Sequence, residues 1–399
     1  MIWLTGGNVY DVAQGKFEQK AIGIRDGRIE ALTAGPTPAT GDRVIDMSGS
    51  WLLPGLIDCH VHLTLNPDVT GTAAFGARSR ERIRQDTADA AARTLEGGIT
   101  TVRDCGGWDY LEMEVRDEVR AGTLPGPRMF LSGRLISIET PGAADYWGMY
   151  DFAQTAEELK AAAERQMAKG ADFIKIMVTG MFLAPETERA EDCYYSNDEL
   201  SALVHHSHDH GRHVACHAHA IEGIRLAIAA GVDSLEHGTY ADRGALAAMA
   251  KAGIVLVPTC TVMSAMIENP TIRAKMPDYL IARYENARTL HRDAMIAARA
   301  EGVPLVMGTD AGAPGNHHGA NAQECVRMVR DVGMTPAEAI RAATLGGAAL
   351  LGQADSLGSL EPGKFADIVA ARSNPLDDIA ALQRLHFVMK DGAIVRHDA

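Results

Sequence analysis

No uninterrupted apolar run reaches about 18 residues, the length a membrane-crossing helix needs. The opening residues, "MIWLTGGNVYD", lack the basic, then apolar, then small-residue order of an export leader. These absences predict a cytoplasmic protein without membrane contact. No basic cluster occurs and the formal net charge is -14, which argues against nucleic acid and anionic lipid as partners. CxxC spacing is missing too: Cys59, Cys105, Cys193, Cys216, Cys260 and Cys325 are scattered, mostly in apolar runs, and read as reduced core thiols. There is no low-complexity segment and no long linker.

What the chain does have is enough apolar residues, 46% of 399, to bury a large core with a smaller domain beside it. From about residue 85 to 312 one unit recurs: an Ala-rich helical stretch, a glycine, then a short apolar run. Instances are "LEGGITTVRDC", "MAKGADFIKIMVTG", "DHGRHVACHAH", "IAAGVDSLEHG", "AKAGIVLVPTC" and "AEGVPLVMGTDAG". Gly98, Gly170, Gly211, Gly231, Gly253 and Gly302 stand where a helix would end in a left-handed cap. The runs after them are apolar on both alternating faces, as in a parallel sheet covered by helices. With "WLLPGLIDCHVH" before them and "GPRMFLSG" between the first two units, the strands number eight, which predicts an α/β fold built on a (β/α)8 TIM barrel.

One helix can be read closely. In "YSNDELSALVHHSHDHG", Ser196 and Glu199 have capping-box spacing, Leu200, Leu203 and Val204 form an apolar face, and Gly211 ends it. Its His205, His206, His208 and His210 fall on a helix rather than at a strand end and read as a solvated face. The two chain ends are different: short β-rich runs with Asp-Gly hairpin signals in "RDGR" and "FVMKDGAIVRH". Neither end could make a stable sheet alone. The expectation is a small β-sandwich domain from residues 1–53 plus 352–399, flanking a barrel over 54–351.

In such barrels chemistry sits at the C-terminal strand ends. Those ends carry His60 and His62 on strand 1, Lys175 on strand 4, His217 on strand 5, His237 on strand 6 and Asp310 on strand 8. Residues i and i+2 of a strand share a face, about 7 Å apart, so His60 and His62 can close on one ion. Lys175, inside the apolar "DFIKIMVTG", would be costly as a buried ammonium. A neutral amine there can take up carbon dioxide and become a carbamate able to bridge two zinc ions. "CHAHA" repeats the HxH pattern, so His217 or His219 could be a ligand. Imidazole and carboxylate suit zinc, which would make hydroxide available at neutral pH. Manganese, cobalt or iron would also accept these donors. Asp310 could bind metal and pass a proton from the water to a leaving amine.

These residues resemble the amidohydrolase superfamily, specifically its imidazolonepropionase-related and prolidase-like branch. The carrying motifs are "PGLIDCHVH", "TTVRDCGG", "GADFIKIMVTG", "VACHAHA", "AGVDSLEHGTY", "GTDAG" and "GSLEPGKFADIVA", which span nearly the whole chain in order. The resemblance implies two divalent ions, zinc by preference, with His60, His62 and Asp310 at one, His217 and His237 at the other, and N6-carboxylated Lys175 bridging. It gives catalytic roles to Asp310 and His237 and leaves His219, Tyr240 and His318 to face substrate. It implies hydrolysis of an amide in a dipeptide or N-acyl amino acid by a homo-oligomer. Alternatives are a cyclic amide, carbamate, lactone or phosphotriester, or a non-catalytic scaffold. Relatives that open the imidazolone ring work with one metal, so Lys175 argues against that version. One departure stands out: many relatives have a glycine- and histidine-rich loop after strand 3. Here residues 137–150 read "SIETPGAADYWGMY", and the aromatic pair Tyr146 and Trp147 is expected to line or cover the pocket.

Overall fold

Each helix–glycine–strand unit closes as its residues require. The six glycines named above have φ between 66° and 94°, a region closed to most side chains, and each turns a helix end into the next strand. The computed structural model describes residues 1–69, 74, 76–144, 146–182 and 188–398. Asp145, within the loop 137–150, therefore lies outside the described residues. The central strands are β1 (Leu56–Val61), β2 (Ile99–Asp104), β3 (Arg128–Leu131), β4 (Ile174–Met177), β5 (Val214–Ala218), β6 (Ser234–His237) and β7 (Val255–Val257).

All the central pairings are parallel. β3 is broken by Gly133 (φ 73°): its first half pairs with β2, while the continuation Leu135–Ser137 bridges to β4 at Ile136↔Ile176. The expected eighth strand also differs. The stretch 303–311 makes only isolated bridges, Leu256↔Leu305 and Val61↔Ala311. Pro304 has no N–H to give, Gly308 is pressed against His60, and Asp310 turns to φ 60°, so no regular ladder develops. Its backbone still bonds to both neighbours, Leu256 N to Pro304 O at 2.9 Å and Cys59 N to Met307 O at 2.9 Å. Hydrogen bonding thus returns to β1, where it began.

The strands are sealed outside by amphipathic helices such as Asn197–Asp209. Its capping box is formed by Ser196 and Glu199, and Leu200, Leu203 and Val204 are buried. His205, His208 and His210 are exposed and His206 half-buried. Five of the cysteines are buried and Cys193 is exposed. Among the described residues no helix is long and apolar enough to cross a membrane.

The two chain ends share two further sheets. One has the order Arg28–Thr33, Ala21–Arg25, Ile2–Thr5, Arg43–Asp46; the other runs Ala393–His397, Leu385–Lys390, Ile368–Ala371, Trp51–Pro54, Asn8–Asp11, Lys16–Gln19. Both Asp-Gly pairs turn hairpins with positive φ, Asp26 and Gly27 at 50° and 77°, Asp391 and Gly392 at 48° and 74°, as a tight two-residue hairpin demands. One apolar cluster draws on both sheets, including Leu4, Ile22 and Ile45 from one and Leu52, Ile368 and Phe387 from the other. Trp51–Pro54 runs straight into β1, so this unit anchors the strand that carries His60.

Candidate functional site

Lys175, His217 and His237 stand near the ends of β4, β5 and β6, and with His60, His62, His219 and Asp310 they line one cavity. Nitrogens of His217, His219 and His237 lie within 4.8 Å of one another, as do donor atoms of His60, His237 and Asp310. Asp310 Oδ1 is 3.7 Å from His60 Nε2 and 3.5 Å from His62 Nε2. All these expected donors are thus brought together, and both members of the HxH pair on β5 are present.

Each imidazole has one nitrogen oriented by an oxygen. His60 Nδ1 donates to Glu236 Oε2 at 2.7 Å, His62 Nδ1 to Gly106 O at 2.8 Å, and His217 Nε2 to Gly180 O at 3.3 Å. His219 Nδ1 and His237 Nδ1 sit 2.8 and 2.7 Å from the hydroxyls of Thr239 and Thr259. The other nitrogen of each ring is left for the cavity, the arrangement that fixes the tautomer of a metal ligand. Burial pushes His60 and His62 down to about 4 and His219 to about 3, so the rings are neutral lone-pair donors at pH 7. Burial also raises the Asp310 carboxyl.

Lys175 is 1% exposed, and its buried Nζ has no hydrogen-bond partner among the described residues. It does not reach out between the helices. An orphaned amine beside neutral imidazoles and a carboxylate fits a site built for divalent cations. Three strand ends are held in the left-handed region by non-glycine residues: His237 at φ 71°, Thr259 at 50° and Asp310 at 60°. Strain of this kind costs about 1–3 kcal/mol each and clusters at working sites. Here it turns two of the donors inward.

Above the donors the cavity, about 200 Å³, is walled by the loops that follow the strands. Met149 and Tyr150 come from the segment after the β3 continuation, Met181 and Phe182 from after β4, and Met263 and Met266 from the helix Cys260–Glu268 after β7.

The family model for the "Amidohydrolase family" matches residues 51–395. The chain belongs to the amidohydrolase family. It is a hydrolase of carbon–nitrogen bonds. It is 32% identical over 361 residues to ochratoxinase of Aspergillus niger, covering 83% of this chain and 72% of that protein. Imidazolonepropionase of Streptomyces griseus subsp. griseus is 28% identical over 361 residues, 83% of this chain and 80% of that one. The crystal structure of a Xaa-Pro dipeptidase with methionine bound in its active site superposes with a TM-score of 0.89 at 31% identity, covering 99% of both chains.

Two expected substrate contacts of this amidohydrolase lie elsewhere. His318 does not line the cavity: its Nε2 donates to His62 O at 3.2 Å, its Nδ1 is 3.4 Å from Thr94 Oγ1, and it borders a separate cleft with Arg93 and Gly97. Tyr240 packs behind Phe182, with ring centroids 6.1 Å apart, and its hydroxyl donates to Glu191 at 3.4 Å. Of the aromatic pair, Tyr146 lines the cavity, while Trp147 is 54% exposed and packs edge-on against Trp108.

Arg103 and Glu236 escaped the sequence reading. Arg103 donates Nη2–H to Glu236 Oε1 at 2.7 Å, Nη1–H to Ser234 Oγ at 2.8 Å and Nε–H to Cys59 O at 2.6 Å. The amidohydrolase thus holds His60 through a fully buried ion pair. The signal was present, a charge inside each of the apolar strands "ITTVRD" and "SLEH", and it is the same signal that singled out Lys175.

Proposed function

We propose that this amidohydrolase is a binuclear enzyme that cleaves an amide bond in a small organic substrate. His60, His62 and Asp310 would hold one divalent ion and His217 and His237 the other. Lys175 would add its Nζ to carbon dioxide, releasing a proton, and the resulting carbamate would be a donor to both. The ions, zinc by preference, supply water acidification and carbonyl polarisation. The frame for this reading is a (β/α)8 barrel with a small composite β domain, supported by the pairing that returns to β1 and by the shared terminal sheets.

The chain's own groups do the rest. Asp310, raised by burial and close to both His60 and His62, takes the proton of the attacking water and returns it to the leaving amine. His219, braced at Nδ1 by Thr239, offers Nε2 to the substrate. The apolar wall keeps bulk water from the reacting carbonyl. Dipeptides and N-acyl amino acids come first as substrate families, supported by the likeness to the Xaa-Pro dipeptidase.

The observation that carries the proposal is the buried, partnerless Nζ of Lys175 amid neutral imidazoles. The test is metal counting and amide turnover in Lys175→Ala beside the parent protein. The parent should hold about two divalent ions per chain, and the variant should lose at least one ion and more than about 100-fold in kcat. A variant that keeps both ions and full turnover overturns the reading.

A further inference from the structure

The geometry points to a substrate without a free carboxylate: the cavity selects uncharged amides with an apolar, aromatic-bearing side over free dipeptides or N-acyl amino acids. This rests on the amide-hydrolase reading above but not on the substrate order that the family likeness suggests: the lining of this chain's own cavity puts amides without a carboxylate ahead of dipeptides and N-acyl amino acids.

A carboxylate taken out of water needs a paired cation or several hydrogen bonds to offset its desolvation. Proteins usually meet it with arginine, whose forked donors match both oxygens. Apart from Lys175, already placed among the metal donors, no lysine or arginine lines the cavity among the described residues. The positions not described, 70–73, 75, 145, 183–187 and 399, contain no Lys, Arg or His in the sequence. Arg283 lies over the Phe182 ring, 5.8 Å from its centroid, and its Nη2 is 3.0 Å from Glu191, which holds it in an ion pair.

The ionisable group packed against the wall is a carboxyl, which burial raises. Glu188 is buried, accepts from Met181 N at 3.3 Å and from Tyr194 Oη at 2.5 Å, and Met181 is itself a lining residue. An anionic group entering here would leave water for thioethers and rings, with the Glu188 carboxyl close by rather than a cation.

The wall is instead suited to a flat apolar group. Met149, Met177, Met181, Met263 and Met266 all line it. Thioether sulfur gains about 0.3–1.5 kcal/mol against an aromatic ring, and methionine adapts to irregular shapes. A volume of about 200 Å³ compares with the roughly 150 Å³ void that binds benzene. The polar handle matches a neutral partner: among the described residues Tyr150 Oη meets only the weak acceptor Met181 Sδ, at 3.7 Å, and burial raises its pKa so that it stays protonated. It can donate to a carbonyl or ether oxygen.

The test uses full-length, metal-loaded protein and two compounds that differ only by the carboxylate, N-acetyl-L-phenylalanine and N-acetylphenethylamine, with kcat/KM measured for each. A second measurement reads binding without turnover, using inhibition or calorimetry with the methylphosphonamidates of phenylalanine and of phenethylamine. The expected result is at least a tenfold preference for the member without a carboxylate in both, carried by KM in the first. Equal or stronger recognition of the carboxylate member overturns the proposal, as does failure of both phosphonamidates to bind. Tenfold tighter binding of the phosphonamidate without a carboxylate, with neither amide cleaved, would uphold the selectivity and bring down the amide-hydrolase reading alone.

Discussion

Glu236 is the side chain on which the placement of His60 turns. Burial alone would raise its carboxyl, yet Arg103 and the His60 hydrogen bond hold it well below the usual carboxylate range, so it remains an anion. A buried anion accepting from Nδ1 makes Nε2 a better donor to metal. Glu236→Gln should keep the contact but lose the charge, and metal affinity by chelator competition should fall about 10- to 100-fold. Arg103→Met strands the carboxylate in the core and should cost about 3–5 kcal/mol in denaturant unfolding. At this scale much of the site was legible. His60, His62, Lys175, His217, His237 and Asp310, which the recurring unit picks out, all line one cavity, although Asp310 lies on a stretch that forms no regular strand. His318 and Tyr240 were misplaced because a loop's path is set by what it packs on, which spacing does not express. The methionine wall was invisible for the same reason, since its members come from several separate loops.

The helices and strands follow local rules closely enough to be changed one at a time. Ser196 caps Asn197–Asp209 by accepting from Glu199 N at 3.4 Å, while Glu199 reaches back to Ser196 N at 2.8 Å. Ser196→Ala should cost about 1 kcal/mol of stability and leave kcat unchanged, because this helix lines no part of the cavity; urea unfolding and turnover on one preparation check both. The glycine caps and Asp-Gly hairpins were legible because each depends on two adjacent residues. The eighth strand and the break in β3 were not. Both depend on distant atoms, His60 beside Gly308 in one case and the unequal partners β2 and β4 in the other. His291 shows how one helix is tied to a strand end: it lies on Asp278–Ala300, its Nε2 donates to Pro258 O at 2.6 Å, and burial pushes it down to about 4. A folded value below the unfolded one, about 6.5, means its contribution is complete above about pH 6.5 and is lost as pH falls toward 4. The stability gap between metal-free parent and His291→Gln should therefore narrow over that window, as read by denaturant midpoints.

For the molecule as a whole, the two chain ends are structural parts of the site although none of their residues lines the cavity. Ile368–Ala371 pairs with Trp51–Pro54, and Arg128 of β3 donates to Asp367 at 2.7 Å. Removing residues 352–399 leaves the strand that leads into β1 paired on one side only, to Asn8–Asp11, and takes Ile368, Phe387 and Met389 from a shared core. The truncated protein should show no cooperative thermal transition and no stoichiometric metal binding, and a scanning calorimeter with metal analysis would report both. The shortness of the β-rich runs at each end was the sequence's reason to combine them, and Ile368–Ala371 pairs with Trp51–Pro54. Their division into two sheets was not legible, because register across more than 300 residues of intervening chain leaves no local trace.

That pairing also orders events in time. A ribosome makes Trp51–Pro54 early, but its partner Ile368–Ala371 emerges only after the intervening residues, roughly 15–60 s later at about 5–20 residues per second. By then every proposed metal donor through Asp310 has been synthesised. The nascent chain therefore presents its metal donors to the cell before the sheet that orients the first of them can close.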